Sequence, residues 1–366
     1  MEENSPTIMV TKPVTIQKIA EELGIHKSTV SLALSGKGRV AASTRQRIVS
    51  FAAERGYEPD LLAQRLASRA RNNMVCLCSG ILDVGRATEK ILLIQSELSG
   101  HGLEVPIYTS GSPSGDSGKS QAALFRQLRR QRPLAIVCST YGLNSVAFKE
   151  LETYQREGGI VVSYDFPIPL QCDQVLYDRE DNAYQGARYL LERGHQHIGI
   201  GMSRITRPVS DMGNVPQTLR LQGFRRAMAE FGQPVREEWL FENTTFEKGG
   251  AEMAQHFLEL KKRPTALCIV NDYVALAFMI EIMRAGLSIP ADVSIVGHDD
   301  QPIASYCPVP LTSVSQPAEE IVRAVITMLM ERIEGSTLPA RTMTVQSQLV
   351  ERQSVANIAQ TQTKYS

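Results

Sequence analysis

The sequence lacks a net charge: 39 lysines and arginines balance 39 aspartates and glutamates. With 43% hydrophobic residues and 366 in all, a dominantly disordered chain is excluded, and two or three domains are expected at about 100–200 residues each. It also lacks any stretch approaching about 18 consecutive apolar residues. The opening Met1-Glu2-Glu3-Asn4 lacks the charged-then-apolar order of a secretory signal. A cytoplasmic protein with no membrane partner is the expectation. The six cysteines (Cys76, Cys78, Cys138, Cys172, Cys268 and Cys307) contain no CxxC pair, so a zinc site or redox motif has no framework. They lie mostly in apolar, strand-like runs and read as buried thiols in a reducing compartment. No Ser-His-Asp order, carboxylate pair or HExxH stands out, so no catalytic residue, metal ligand or cofactor is nominated.

One local absence is more telling. From His26 to Ala53 there is no acidic residue, while Lys27, Lys37, Arg39, Arg45 and Arg47 add five positive charges. A basic module on a neutral or acidic body fits this distribution; a plain solvated basic surface is the alternative. The pattern of the segment decides more than its charge. Ile16, Ile19, Ala20 and Leu23 share a helical face behind an N-cap at Thr15, and Gly24 can end that helix in the left-handed conformation. A second helix follows from His26, with Val30, Ala33 and Leu34 inward and Lys27, Ser28, Ser31 and Leu32 outward. After the turn at Gly36-Lys37-Gly38-Arg39, a third amphipathic helix runs from Ser43 to its end at Gly56. Two short helices joined by a glycine turn, with a third behind them, predict a helix-turn-helix unit. A three-helix core that does not touch DNA is the plain alternative, and the acid-free outward face at the start of the second helix argues against it.

These residues carry a resemblance. Thr15-Ile16, Ile19-Ala20, Leu23-Gly24-Ile25, Thr29-Val30-Ser31, Ala33-Leu34-Ser35-Gly36, Thr44-Arg45, Arg47-Ile48 and Gly56-Tyr57-x-Pro59 resemble the DNA-binding domain of the LacI/GalR family of bacterial transcriptional regulators. The likeness continues through Leu62-Ala63-x-x-Leu66, similar to that family's hinge helix, to about Val350. It implies a major-groove helix with Lys27 and Ser28 at base edges and Leu32 deeper, and Thr15, Thr29, Ser31 and Thr44 among the DNA contacts. It implies further that Ala63, Arg65 and Leu66 act at the minor groove, Leu66 as a wedge, beside the cations Arg69 and Arg71. Two departures stand out: Leu32 replaces a common arginine and can touch only a thymine methyl, and Asp60 replaces the usual asparagine after the proline.

Downstream, Met74 to Cys78, Leu103 to Tyr108, Leu134 to Cys138, Ile160 to Ser163, His197 to Gly201, Ala266 to Val270 and Val293 to Val296 read as buried strands. They alternate with helix-like stretches, including Ala87 to Gly102, Glu180 to Gly194, Leu219 to Gly232, Gly250 to Lys262 and Tyr273 to Gly286. Continuous apolar strands spaced by helices predict two doubly wound α/β halves with parallel sheets. The resemblance implies the same: an N-terminal all-α, lambda-repressor-like three-helix domain (13–59), a hinge (60–71) and a periplasmic-binding-protein-like core (73–352). The core's N-subdomain would span 73–177 and 316–345, its C-subdomain 178–314 and 346–352, with crossings near Tyr177, Ser315 and Val345, and a polar tail at 353–366. That tail has no leucine heptads, so a homodimer rather than a coiled-coil tetramer is expected.

A cleft at strand ends can hold a polar ligand with a guanidinium, a carboxylate and an amide. The resemblance places Arg220, Asn271 and Asp299 at effector-contact positions, with Asp165 and Gln316 beside them and Phe246 as an apolar wall. An Arg220–Asp299 salt bridge in a cleft with no ligand is the alternative. The family's usual Asn-Pro first-strand turn is replaced by Asp83-Val84-Gly85-Arg86-Ala87, so the effector class stays open among sugars, nucleobases and other metabolites. Gly115-Asp116-Ser117-Gly118-Lys119-Ser120 mimics a phosphate-binding loop but has Pro113 where its first glycine belongs, and is expected to be a Gly/Ser loop before a helix from Gln121. The expected function is an effector-controlled transcriptional regulator, by default a repressor, bound as a homodimer to an inverted-repeat operator DNA. A cytoplasmic small-molecule-binding protein without specific DNA recognition, or an enzyme using the cleft, are the alternatives.

Overall fold

The computed structural model describes residues 14–34, 39–57, 72–79, 85–109, 117–140, 143–203, 215–243 and 246–358. They belong to two compact units, Met1–Arg71 and Asn72–Ser366. The expected hinge at 60–71, with Asp60, Ala63, Arg65 and Leu66, lies outside the described residues, as do Asp83 and Val84 of the first-strand loop.

In the first unit, α1 (Ile16–Leu23), α2 (Lys27–Leu34) and α3 (Ala42–Glu54) close around one small core. The Thr15 side chain accepts the Lys18 amide at 3.2 Å, the capping contact its sequence position anticipates. Gly24, at φ 65°, ends α1 and lets Ile25 turn back onto the core, its amide donating to the Ala20 carbonyl. Ile19, Ala20, Val30, Ala33, Ile48 and Ala52 are buried together, which uses one face of each helix and leaves the others to solvent.

The second unit contains two six-stranded sheets. The first has the order β11-β5-β4-β3-β1-β2, from β1 (Val75–Ser79), β2 (Ile107–Thr109), β3 (Ala135–Ser139), β4 (Ile160–Asp165), β5 (Asp173–Tyr177) and β11 (Thr342–Val345), every pairing parallel. The second has the order β12-β10-β9-β8-β6-β7, from β6 (Ile198–Ser203), β7 (Leu240–Asn243), β8 (Ala266–Ile269), β9 (Ser294–Asp299), β10 (Thr312–Ser315) and β12 (Leu349–Val350), with only β12 antiparallel.

Strand alternation explains why both faces are apolar. Val75 and Leu77 of β1 point to the face covered by α4 (Arg86–Gly100) and α11 (Ala318–Ile333). Cys76 and Cys78 point to the other, under α5 (Ser117–Gln131) and α6 (Ser145–Arg156). Each fully buried leucine, isoleucine or phenylalanine in these layers contributes about 1.5–3 kcal/mol. The second sheet is covered likewise by α7 (Arg179–Glu192) and α8 (Val215–Glu230) on one face and by α9 (Phe246–Glu259) and α10 (Asp272–Arg284) on the other. All six cysteines are buried and free; burial pushes Cys76 up to about 12 and Cys307 up to about 11, so these thiols are core residues.

The chain passes between the sheets from β5 into α7, from β10 into α11, and from β11 into β12. Two features differ from the sequence reading. The helix expected from Gln121 begins at Ser117 as α5, inside the phosphate-loop lookalike. Residues 353–358, read as a polar tail, are instead fastened to the second sheet. Ser354 is fully buried, its hydroxyl donating to the Ile295 carbonyl at 2.6 Å and accepting the Thr312 amide at 2.9 Å. Ile358 N–H donates to the Arg193 carbonyl at 2.9 Å. Polar composition concealed this because hydrogen bonds, rather than apolar side chains, secure the segment.

Candidate functional sites

On the first unit, α2 carries no acidic residue in its first turn, so the positive end of its dipole is left to favour an anion. Lys27, Ser28, Ser31 and Leu32 are all exposed on it, at spacings that place them along one side. Leu32 retains 41% exposure, unusual for a leucine in so small a domain. The Ser28 hydroxyl pairs with His26 Nδ1 at 2.8 Å, which orients both at the helix start. Thr29 and Thr44 are half-buried at the starts of α2 and α3, and Thr15 is exposed at the cap of α1. The result is a helix N-terminus with an exposed cation and small hydroxyls around it, the chemistry that phosphates and base edges require.

In the second unit, strand ends from both sheets come close together, and the groove between them is the candidate site. Asp165 is the last residue of β4, Asn271 caps α10 just after β8, and Asp299 is the last residue of β9. All three have positive φ, at 89°, 97° and 95°. That conformation is uncommon for residues other than glycine and is tolerated best by Asn and Asp. It turns the chain sharply at the strand end.

Gln316 lies one residue beyond β10, buried, its amide donating to the Asp299 carbonyl at 3.2 Å. Arg220 sits on α8, 9% exposed, and its Nε has no hydrogen-bond partner. Its position follows from Gly223 one turn later: a Cβ there would lie 1.9 Å from the Glu180 carbonyl oxygen, so glycine alone lets α8 settle onto α7. Phe246 opens α9. Asn271 spends its side-chain oxygen on the Tyr273 amide at 2.8 Å, leaving its NH2 donors.

The cleft also contains residues that the sequence reading passed over. Lys90 of α4, 1% exposed, forms an ion pair with Asp165, and the Ser139 hydroxyl donates to the other carboxylate oxygen at 2.8 Å. Burial pushes the Asp165 carboxyl up, but Lys90, Arg179 and Ser139 together outweigh it, so the net displacement is downward. Arg179, first in α7 and 6% exposed, lies over the Phe166 ring at 3.6 Å and the Tyr177 ring at 4.7 Å. Its Nη1 donates to the Asp165 carbonyl at 2.9 Å. The Tyr177 hydroxyl, 4% exposed as a residue, has no hydrogen-bond partner. Burial, with Asp299 nearby, pushes its ionisation upward, so it is a neutral donor.

Two contacts join the halves across this cleft. Arg86, at the start of α4, donates from Nε to the Asp299 carbonyl at 2.9 Å and from Nη2 to the Asp300 carbonyl. Gly85 lies so close to Gln301 that a Cβ would stand 2.7 Å from its side-chain nitrogen. Opposite them, Asp272 is completely buried, accepting the Gln301 amide at 2.6 Å and the Ser313 hydroxyl at 2.7 Å, and so fixes the ends of β9 and β10. His298, fully buried and pushed down to about 4 by burial, is neutral, its Nδ1 facing the Ile269 carbonyl at 3.0 Å.

Lys90 was legible as a charge at helical spacing from Ile94 and Leu98, hence inward. Arg179 stands where β5 hands over to α7, a strand-end position of the kind that meets ligands in open α/β sheets. Among the described residues, no cluster of three or more His, Cys, Asp or Glu could hold a metal ion, and no helix is long and apolar enough to cross a membrane.

A helix-turn-helix unit followed in the same chain by a two-sheet core with a polar cleft defines a DNA-binding regulator. Comparison with known proteins agrees. Residues 15–60 match the bacterial regulatory proteins of the lacI family, and residues 187–355 match the periplasmic binding protein-like domain. The HTH-type transcriptional repressor PurR of Edwardsiella ictaluri (strain 93-146) is 30% identical over 344 residues, covering 94% of this chain and 97% of the relative. PurR of Proteus mirabilis (strain HI4320) is 29% identical over 343 residues, covering 94% and 97%.

In structure, the Lac repressor dimer bound to operator and the anti-inducer ONPF aligns at TM-score 0.79 and 23% identity, over 94% of this chain and 100% of that one. A LacI-family regulatory protein from Chloroflexus aggregans aligns at TM-score 0.65 and 25% identity, over 78% and 99%. The chain belongs to the LacI/GalR family of bacterial transcriptional regulators.

Proposed function

We propose that this regulator represses transcription by holding an inverted-repeat operator as a homodimer in the cytoplasm, and that a small polar effector in the inter-sheet cleft controls it without being turned over. The observation that carries the DNA half is the exposed Lys27–Leu32 face on an acid-free helix N-terminus. Lys27 would favour guanine acceptors, Ser28 a neighbouring edge and Leu32 a thymine methyl, while Thr15, Thr29, Ser31 and Thr44 approach phosphates. Ala63, Arg65 and Leu66 would serve the minor groove from the hinge.

Asp165, Arg220, Phe246, Asn271, Asp299 and Gln316 are the effector residues in this reading. Its support is the gathering of strand ends with an unpartnered Arg220 Nε and Tyr177 hydroxyl between them. Because three segments link the sheets, a ligand that draws the halves together would rotate one against the other. An effector preferring one arrangement shifts DNA affinity by a coupling of about 1–3 kcal/mol.

The test is selection of bound sequences from a random DNA pool by the purified protein, at near-physiological salt because phosphate affinity depends on it. Enrichment of a two-fold symmetric sequence is expected. A pool that stays random with and without added metabolites refutes the operator reading.

A further inference from the structure

The inter-sheet cleft has an unbalanced charge. Its carboxylates are largely matched inside the fold. Asp165 is paired with Lys90, Asp300 with Arg352 at 2.8 Å, and Glu89 with Arg86 at 2.7 Å. Asp272 is turned away to the Gln301 amide and the Ser313 hydroxyl, and burial beside Asp299 pushes its carboxyl well up. Among the described residues, what remains facing the cleft is Asp299 against two arginines, Arg179 and Arg220, each more than nine-tenths buried.

The two guanidiniums stand on the adjacent helices α7 and α8 and feel one another: burial, then Arg220, pulls Arg179 downward. Arg179 uses one nitrogen on the Asp165 carbonyl and lays its flat face on Phe166. Arg220 Nε and the Tyr177 hydroxyl are buried without a hydrogen-bond partner. Buried donors are almost always satisfied, and an uncompensated buried cation costs far more than a lost neutral bond. Two unpartnered buried donors beside this surplus of positive charge describe a receptor for an anion.

We propose that the effector is an anion: a small polar metabolite carrying a carboxylate or a phosphate, received by Arg179 and Arg220 with the Tyr177 hydroxyl, its own hydroxyls facing Asp299. The proposal rests on the cleft being the effector site and adds the chemical class. A bidentate guanidinium contact to a carboxylate or phosphate is strong and directional, so a neutral isostere leaves both arginines unpaired and is rejected. The sugar-or-nucleobase question thereby narrows to sugar acids, sugar phosphates and comparable anions.

Matched probes test it on the full-length protein by calorimetry and thermal unfolding: glucose against glucuronate, ribose against ribose 5-phosphate, with hypoxanthine as a neutral base and inorganic phosphate as the simplest anion. At least one acidic probe is expected to bind at least about tenfold more tightly than its neutral partner. Millimolar phosphate is expected to raise the unfolding midpoint above that in chloride at equal ionic strength. Arg179→Gln should erase both preferences, and Arg179→Lys should keep the phosphate effect while losing affinity for the carboxylate probe. A neutral probe binding as well as its acidic partner, or no response to any anion including phosphate, overturns the proposal without needing a variant. Operator selection run in parallel separates the two readings. A neutral ligand that alters operator binding leaves the regulator standing and sinks the anion, whereas an acidic ligand bound by a protein that selects no DNA does the reverse.

Discussion

Replacing Lys90 with methionine isolates the most consequential ion pair in the core. Lys90 and Asp165 are 1% and 3% exposed, so each charge has lost its water and depends on the other. Methionine fills most of the lysine volume and leaves the Asp165 carboxylate with Ser139, whose hydroxyl donates at 2.8 Å, and with the more distant Arg179. Breaking a buried pair from one side costs about 3–5 kcal/mol because a charge is stranded. At about 2–4 °C per kcal/mol for a domain of this size, the unfolding midpoint at neutral pH should fall by roughly 10 °C.

The pH dependence fixes the cause. In the native pair the Asp165 carboxyl is displaced downward, so its contribution is present above the unfolded value of about 3.9 and lost as pH falls through the folded one. Without Lys90, burial becomes the stronger influence and the carboxyl moves up; the variant therefore loses stability as pH rises through that raised value. The gap between the two proteins is widest near neutrality and closes toward about pH 4. Thermal unfolding by circular dichroism across that range reads it. The double variant Lys90→Met with Asp165→Asn should recover most of the loss, since asparagine keeps a hydrogen-bonding group and tolerates φ 89°. A neutral-pH loss under about 2 °C, or a gap that stays constant on acidification, refutes the reasoning.

Lys27→Ala should weaken binding to the selected operator by about 1–3 kcal/mol and relax preference at one base position, read by gel shift against single-base variants; uniform weakening would assign Lys27 to phosphate instead. Arg86→Ala removes both donors that tie α4 to the Asp299 and Asp300 carbonyls, and the free core should open, read as a larger radius of gyration in small-angle scattering. An unchanged profile would show that the halves stay together by other contacts. Tyr177→Phe deletes a hydroxyl that bonds nothing in the free protein, so stability should change by less than about 1 kcal/mol while effector affinity falls. A large destabilisation would mean that the hydroxyl has an internal role.

The three-helix head was readable because α1 announces both its ends, Thr15 before Ile16 and Gly24 after Leu23, and because each helix shows an apolar face, as Val30 with Ala33 does on α2. The long apolar strands were readable for the same reason. β7 was not, because Leu240–Asn243 is a four-residue edge strand with too few residues to show a period. Within the cleft, Asp299 and Arg220 stand in recognisable motifs; Lys90 shows its inward direction only through its helical spacing to Ile94 and Leu98, and Arg179 is an isolated charge placed by tertiary packing. The fastening of 353–358 was hidden for a related reason: Ser354 looks like surface composition, and only the neighbouring carbonyl of Ile295 makes it core.

Asp165, Asn271 and Asp299 each hold a backbone conformation that costs about 1–3 kcal/mol, which glycine would relieve. Keeping a polar side chain at all three strand ends means that the side chain, rather than the turn alone, is what the site uses. The three differ in what they offer. Asp165 is consumed by Lys90 and serves to anchor α4 under the first sheet, and Asn271 spends its oxygen on a helix cap. Asp299 alone presents a carboxylate that Lys90 does not neutralise. Arg179 opens α7 and Arg220 lies on α8, so both stand on the second sheet with Asp299, and Arg179 reaches across to the Asp165 carbonyl and the Phe166 ring of the first. Arg86 ties the halves together from the other side by holding the Asp299 and Asp300 carbonyls. A bound anion held by both guanidiniums would act on the first sheet through Arg179 and so favour closure. Ligand charge and domain closure are thereby coupled through the same pair of guanidiniums.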